Sequence, residues 1–498
     1  MKKYVFFRVL RSIVSIFLVT TATFIIIYSL VPRRDVFKQD PNVNKLQSSP
    51  DKLTEYENNA FEKMNYLDYY NTRDLITEVE KSNPKVNLTT AHTAANKKVL
   101  SAWTSKHCYE LKTFKQSKDF YAVRELPLWE RLSRFYGGLI KIDTPWAIHD
   151  KKNPNLKRYL KIEHDETVGW AVVGSGTKYR YQIYFNGSFP YIHQNIIKFN
   201  LGTSYPTYAN LPVSSVIGGG QGEAKSQTIT TETGKKITSS DNVYTRQYQT
   251  PSRADSSKKA IYKDDYTDTD QAYEDPSMIG TSVRAGLVGI LITYVLAIPF
   301  GLFMARFKNR MFDRFGTGVI TLVIAAPTLA FIYVFRTIGV ALFGLPDAFP
   351  TLGASDIRSW IMPAVILGLM SVSGLALWFR RFMIDQQSSD YVKFAKAKGL
   401  TENEIYAKHI FKNASIPLVN GIPGSIIATI GGATMTEQIF AMPGMGKMLP
   451  DSISNHNNSV VIGLVFIFTT IAVLSVLLGD LLMAAVDPRI KLSASGDD

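Results

Sequence analysis

Six long apolar runs, joined by short polar connections everywhere except after the first, set the pattern of this chain. The first run covers residues 12–31 and follows Lys2, Lys3, Arg8 and Arg11. Five more cover 285–305, 316–334, 361–379, 416–435 and 460–486. Each is close to the ~20 residues a helix needs to cross a bilayer, so the pattern predicts six transmembrane helices. A cleaved signal peptide is the rival reading of the first run, since a basic flank suits both. The run exceeds an ordinary signal-peptide core and no A-x-A site follows it, so an uncleaved span is expected.

Between the first and second runs, residues 32–276 contain no segment able to span. Ser49 followed by Pro50 opens a helix running towards Lys81, since proline suits the first helical position. A second helical pattern occupies 94–114 and a third 128–136. The texture then turns β-rich: 156–163, 168–173 and 178–185 carry Val, Ile and Tyr, and Gly174-Ser175-Gly176 offers a hairpin turn. Residues 218–275 are rich in Gly, Ser, Thr, Lys and Asp, which predicts ordered loop with some strand. The expected fold is an α-helical polytopic membrane protein with an α+β domain inserted between helices one and two. Its parts are 1–31, 32–276, a membrane core at 277–491, and a tail at 492–498.

The connection between the fourth and fifth spans, 386–415, has its own pattern. Tyr391, Phe394 and Ala395 fall at helical spacing opposite Lys393 and Lys396. Gly399 can take the left-handed conformation that ends a helix. Thr401-x-x-Glu404 is a capping box that starts the next one. The stretch 390–417 therefore reads as two short helices turning at Gly399, a compact basic element suited to docking on a partner. A solvated amphipathic loop is the plainer alternative.

Charge orients these spans. Arg306, Lys308, Arg310 and Arg314 lie between spans two and three. Arg380, Arg381, Lys393, Lys396, Lys398, Lys408 and Lys412 lie between four and five, and Arg489 and Lys491 follow six. The alternate connections are nearly neutral. The positive-inside rule then places both termini and the 390–417 element in the cytosol and residues 32–276 outside. The net charge of +14 is thus a matter of topology rather than of nucleic-acid binding. The mean hydropathy of −0.01 averages two unlike parts. A single cysteine, Cys108, excludes an intrachain disulfide framework and a multi-cysteine zinc site, and a bacterial plasma membrane fits such a chain.

Ala395, Gly399, Ile410 and Pro417 are spaced as in the "EAA" coupling loop of ABC-importer permeases, which this stretch resembles. Lys393 and Phe394 depart from it, standing where the general motif has Glu and Ala. After the fifth span, Glu437, Ile439, Phe440, Pro443, Gly444, Gly446 and Leu449 resemble the oligopeptide/dipeptide subfamily. Asp480-Leu481-Leu482 and Asp487-Pro488-Arg489-Ile490 are similar to that subfamily's C-terminal signature. Phe199-Asn200-Leu201-Gly202-Thr203-Ser204 with Pro212-Val213 looks like its short segment before the second span. Asn455-His456-Asn457-Asn458 departs from an Arg-Asp pair often found there. The resemblance is strong over 280–491, moderate over 199–217 and loose over 1–31, and it is nearest to OppB/AmiC-type Gram-positive permeases with an enlarged external region. It implies a permease subunit of an ATP-driven oligopeptide importer. Its partners would be a homologous permease, two cytosolic ATPases and an extracellular substrate-binding lipoprotein, with membrane lipid around it, an oligopeptide as substrate and no nucleic acid. The resemblance assigns ATPase coupling to Asp390, Phe394, Ala395, Gly399, Leu400, Glu404, Ile410 and Pro417.

Chemistry that would make the chain an enzyme is not in the pattern. Residues 219–226, GGQGEAKS, approach a phosphate-binding loop, but Ala224 replaces the glycine before the lysine and no buried strand precedes it. ATP and magnesium are therefore expected on the partner ATPases, with no cofactor or metal on this chain. The histidines form no H-E-x-x-H, and Gly174-Ser175-Gly176 is not G-x-S-x-G. Ionisable residues at the spans carry more weight, because they are costly in lipid. Arg336 and Asp480 are expected to snorkel or pair within the bundle. Gly421, Gly424, Ser425, Ala428, Gly431, Gly432 and Ala433 suit the fifth span to close packing. Gly424, Ala428, Gly432, Met435 and Glu437 are the candidates for the translocation path and outer gate. A membrane-anchored receptor with an external ligand-binding domain is the rival class, but it would need a cytosolic output domain. A secondary transporter is the third, without an evident inverted repeat or carboxylate relay.

Overall fold

The run expected as a third span is broken. In the computed structural model, which describes residues 2–83, 88, 94–187, 191–208, 210–231 and 234–486, that run forms two helices bent by 110° at Ala326-Pro327. Proline lacks the amide that would continue the helix, and the residue before it is pushed to extended backbone. Ala326 accordingly has φ −70°, ψ 132° and Pro327 φ −57°, ψ 133°. The other five apolar runs each form a helix long enough to cross a membrane.

The chain divides into two compact units, Met1–Val31 with Pro276–Asp498, and Pro32–Asp275. In the first, α1 is Lys2–Leu30, α2 Met278–Arg306, α3 Met311–Ala325, α4 Thr328–Phe343 and α5 Arg358–Gln387. A short α6, Asp390–Ala397, leads to α7, which runs through Glu402–Glu404, a π-helical Ile405–Ile410 and Phe411–Ala414. Then follow α8 (Ile416–Gly432), α9 (Thr434–Ile439), α10 (Met445–Ser454) and α11 (Asn458–Val486). The signature 487–490 and the tail 492–498 lie outside the described residues.

Helices α2 and α5 form the spine of this unit. Glycines let their backbones meet: a Cβ on Gly301 would stand 2.6 Å from the Ala376 carbonyl, and one on Gly368 2.7 Å from that of Gly289. Thr293 Oγ1 donates to the Gly368 carbonyl at 2.8 Å across the same seam. Small residues and a shared hydroxyl are what hold helices together where lipid offers no hydrophobic drive. Two ion pairs tie further helices in. Arg380 on α5 grips Asp313 on α3 at 2.6 and 2.7 Å, and Arg8 on α1 meets Asp480 on α11 at 2.5 Å. Arg336 lies inside α4 rather than after it, and its Nε donates to the Asp347 carbonyl at 2.9 Å.

The second unit is α+β. The helix opened by Pro50 ends at Lys63, and the one from Ala94 ends at Lys106. Strands β1 (Leu67–Tyr70) and β2 (Glu110–Thr113) follow those ends and flank β3 (Phe120–Glu125) in an antiparallel sheet. Left-handed Asn65 (φ 57°) and Cys108 (φ 62°) turn the chain from helix to strand. After a helix at Leu128–Leu139 comes β4 (Ile140–Ile142). Strands β5 (Tyr159–Asp165), β6 (Gly169–Ser175), β7 (Tyr181–Phe185) and β8 (Ile192–Gln194) form a four-stranded antiparallel sheet, and β9 (Ile197–Phe199) pairs with β4. One face of the larger sheet buries Ala171, Val173, Tyr181 and Tyr184. The opposite face leaves Leu160, Ile162, Trp170, Phe185 and Ile192 exposed. Among the described residues of 218–275 there are four short strands and the helix Ser256–Tyr262.

Candidate functional site

Helices α6 and α7 are amphipathic, and their apolar faces are spoken for. Val392, Ala395, Ile405, Ile410 and Ala414 share a buried cluster with Ala305 of α2, Phe379 and Met383 of α5, and Leu418 of α8. Polar contacts fix the same seat: Arg306 Nη2 donates to Asn403 Oδ1 at 2.6 Å, Gln387 Nε2 to the Ala305 carbonyl at 3.2 Å, and Tyr391 Oη to Gln386 Oε1 at 2.7 Å. Gly399 has φ 78° and turns one helix into the other. Thr401 and Glu404 complete the capping box, with the Thr401 amide donating to Glu404 Oε2 at 3.1 Å and the Glu404 amide to Thr401 Oγ1 at 3.4 Å.

The sequence-predicted coupling residues therefore divide by role. Ala395 and Ile410 are buried and seat the element, while Leu400 is half-buried beside them. Pro417 stands in the first turn of α8, where its missing amide leaves no bond unmade. Asp390 and Phe394 face outward, Phe394 with 70% of its surface exposed. Lys393 pairs with Asp390 at 2.8 Å, and this exposed cation holds the Asp390 carboxyl below its usual range. The result is a two-helix ridge with an aromatic knob and charged side chains on its free side. Helix α7 leads into α8, in the fifth apolar run, across Ser415 alone.

The predicted path residues are brought together only in part. Gly424, Ala428 and Met435 are exposed on this chain, and their separations of four and seven residues, one and two helical turns, place them along one side of α8–α9. Gly432 belongs to α8, but its surroundings lie outside the described residues. Glu437 departs from the group: it is 1% exposed and hydrogen-bonded to Ser282 and the start of α10. Buried there, it does not line the exposed face, because its neighbours satisfy it from within the fold. Ser282 was missed from sequence, since a lone hydroxyl in an apolar run gives no sign of a partner 155 residues away.

The family of binding-protein-dependent transport system inner membrane components matches residues 297–492. Over all of its length, and all of the relative's, the chain is 54% identical to the oligopeptide transport system permease protein AmiC of Streptococcus pneumoniae. It is 30% identical to the dipeptide transport system permease protein DppB of Lactococcus lactis, covering 42% of this chain and 69% of that one. An inward-facing MetNI methionine ABC transporter is similar at TM-score 0.36 and 15% identity, over 42% of this chain and 93% of that one, a likeness that carries no argument here. With 54% identity over its full length to an oligopeptide permease and a multi-pass helical fold, the chain belongs to the permease family of binding-protein-dependent transporters, as a peptide ABC-transporter permease subunit.

Proposed function

We propose that this subunit forms one translocation path with a homologous permease and couples it to ATP hydrolysed on separate cytosolic subunits. The observation that carries the reading is the α6–α7 ridge, seated by its apolar face on α2 and α5 and running into α8. Two ATPases, holding ATP and magnesium, engage this ridge and its counterpart on the partner permease. Phe394 is the contact an ATPase groove would bury. A 70% exposed aromatic gains most from such burial, on the order of 2 kcal/mol for a full side chain. Closure of the ATPases shifts the ridge, and α8 carries that shift to the face of Gly424, Ala428 and Met435. ATP chemistry is the work of the partners; this chain receives and redirects the motion.

Both termini are cytosolic and residues 32–276 are extracellular, a reading supported by the alternating basic connections. The external unit receives an extracellular substrate-binding lipoprotein loaded with an oligopeptide, and helps to seal the outer mouth during transfer. Its sheet face of Leu160, Ile162, Trp170, Phe185 and Ile192 leaves large apolar side chains exposed, of the kind that marks interaction sites. Co-purification tests the reading: ATPase subunits recovered with the wild-type chain should be lost with Phe394→Asp. Equal recovery with both would contradict it.

A further inference from the structure

Glu437 and Ser282 together cap a helix to which neither belongs. Ser282 Oγ donates to Glu437 Oε1 at 2.6 Å, and the Lys447 amide donates to Oε2 at 2.7 Å. The Met445 amide in turn donates to Ser282 Oγ at 2.8 Å. Met445 and Lys447 lie in the first turn of α10, and its N-cap, Gly444, has no side chain to offer. The first amides of any helix lack intrahelical acceptors, and a Ser, Thr, Asn or Asp at the N-cap ordinarily supplies one. Here the acceptors come from α2 and α9 instead. A carboxylate also suits the positive end of the α10 dipole.

The glycines around this cap follow from it. A Cβ on Gly444 would stand 2.2 Å from Glu437 Cδ, and one on Gly446 3.0 Å from Oε2. The spacing Glu437…Gly444-x-Gly446 is therefore what lets the carboxylate reach the amides. The segment between is pinned as well: the Met442 amide donates to the Glu437 carbonyl at 2.8 Å and the Phe349 amide to the Phe440 carbonyl at 2.7 Å. Phe440 is buried among Phe331, Ile332, Met362 and Ile366.

We infer that the Glu437–Ser282 cap is a transmission joint, making α2, α9 and α10 move as one body. Displacement entering at the α6–α7 ridge and carried by α8 is then passed on to the segment 440–454. Without the joint, α8 moves and α10 does not follow. Glu437 and Ser282 are positioning residues in this account, acting through α10. The inference deepens the proposed function and rests on it.

The test uses the transporter reassembled in proteoliposomes from the full chain and its partner subunits, with Ser282→Ala, Ser282→Thr and Glu437→Gln variants. Peptide taken up per ATP hydrolysed is measured on assembled complexes. Ser282→Ala should leave assembly and basal hydrolysis as in wild type and lower the peptide-to-ATP ratio about fivefold or more, the lower end of ordinary coupling energies. Glu437→Gln should lower the same ratio, and Ser282→Thr, which keeps the hydroxyl, should restore it. An unchanged ratio in Ser282→Ala and Glu437→Gln would overturn the joint. Loss of assembly in both, with no difference between Ser282→Ala and Ser282→Thr, would also overturn it, because the hydroxyl would then serve folding alone. A wild type that takes up no peptide with ATP overturns the permease reading itself, so the two failures are distinct.

Discussion

Gly399→Val perturbs the α6–α7 ridge at one backbone angle and nothing else. Gly399 sits at φ 78°, and a Cβ added there meets nothing within 4 Å. The substitution therefore creates no clash, and its cost is the conformation alone. An L-residue in the left-handed region costs about 1–2 kcal/mol, and a β-branched one sits at the upper part of a range of about 1–3 kcal/mol. At ~1.4 kcal/mol per tenfold change, that is roughly a 5- to 150-fold drop in the population with both short helices correctly angled. The apolar seat formed by Ala395, Ile405 and Ile410 is untouched, so insertion and overall folding should persist. Co-purification of ATPase subunits and ATP-dependent peptide uptake should both fall. Gly399→Asn provides the internal control, since Asn tolerates the left-handed region and should retain most activity. Wild-type uptake with Gly399→Val would show that the left-handed turn is not needed, as would Asn and Val variants that are equally impaired.

Other outcomes follow from the same geometry. An impermeant maleimide should label the exposed native Cys108 in intact cells, and in a Cys108→Ser background should label Ser256→Cys but not Lys398→Cys; labelling of Lys398→Cys would overturn the topology. Replacing exposed Ile162 and Trp170 by Asn and Ala should abolish stimulation by loaded binding protein while basal ATPase survives; full stimulation would remove this sheet face from the docking surface. Asp68 is paired with Arg124 at 2.5 Å and Arg134 at 2.6 Å. Burial pushes its carboxyl up, but those guanidinia outweigh it and hold it below the usual range. Its stabilisation is thus present above the ordinary carboxylate range and lost as pH falls below it. Protection of strands β1 and β3 in hydrogen exchange should exceed that of Asp68→Asn near neutral pH, and the gap should close in acid; a gap independent of pH would contradict the pairing.

What the sequence made legible depended on how local the cause was. The capping box of Thr401 and Glu404 and the turn at Gly399 involve residues three apart or one angle, and the pattern contains them. Spans were legible because bilayer thickness fixes their length. The break in the third was not, since Pro327 barely alters the hydropathy of its run although it forbids helix continuation. Strands β1 and β2 were hidden inside helical patterns, with left-handed Asn65 and Cys108 marking where helix gives way. Asn65 was a readable sign; Cys108 was not. From sequence, Glu437 is a candidate for the outer gate as an ionisable group beside a span. Its satisfaction by Ser282 and the α10 amides depends on the tertiary packing of segments far apart in sequence.

In the proposed function, this chain converts ATP hydrolysed on partner subunits into peptide movement. The most direct measurement is peptide uptake into proteoliposomes holding the complete transporter, with ATPase subunits that either hydrolyse ATP or bind it without hydrolysis. Uptake should be sustained with active ATPases, dependent on binding protein and ATP, and should not exceed background with the inactive pair. Equal uptake in both, driven by an ion gradient or by no energy source, would contradict it.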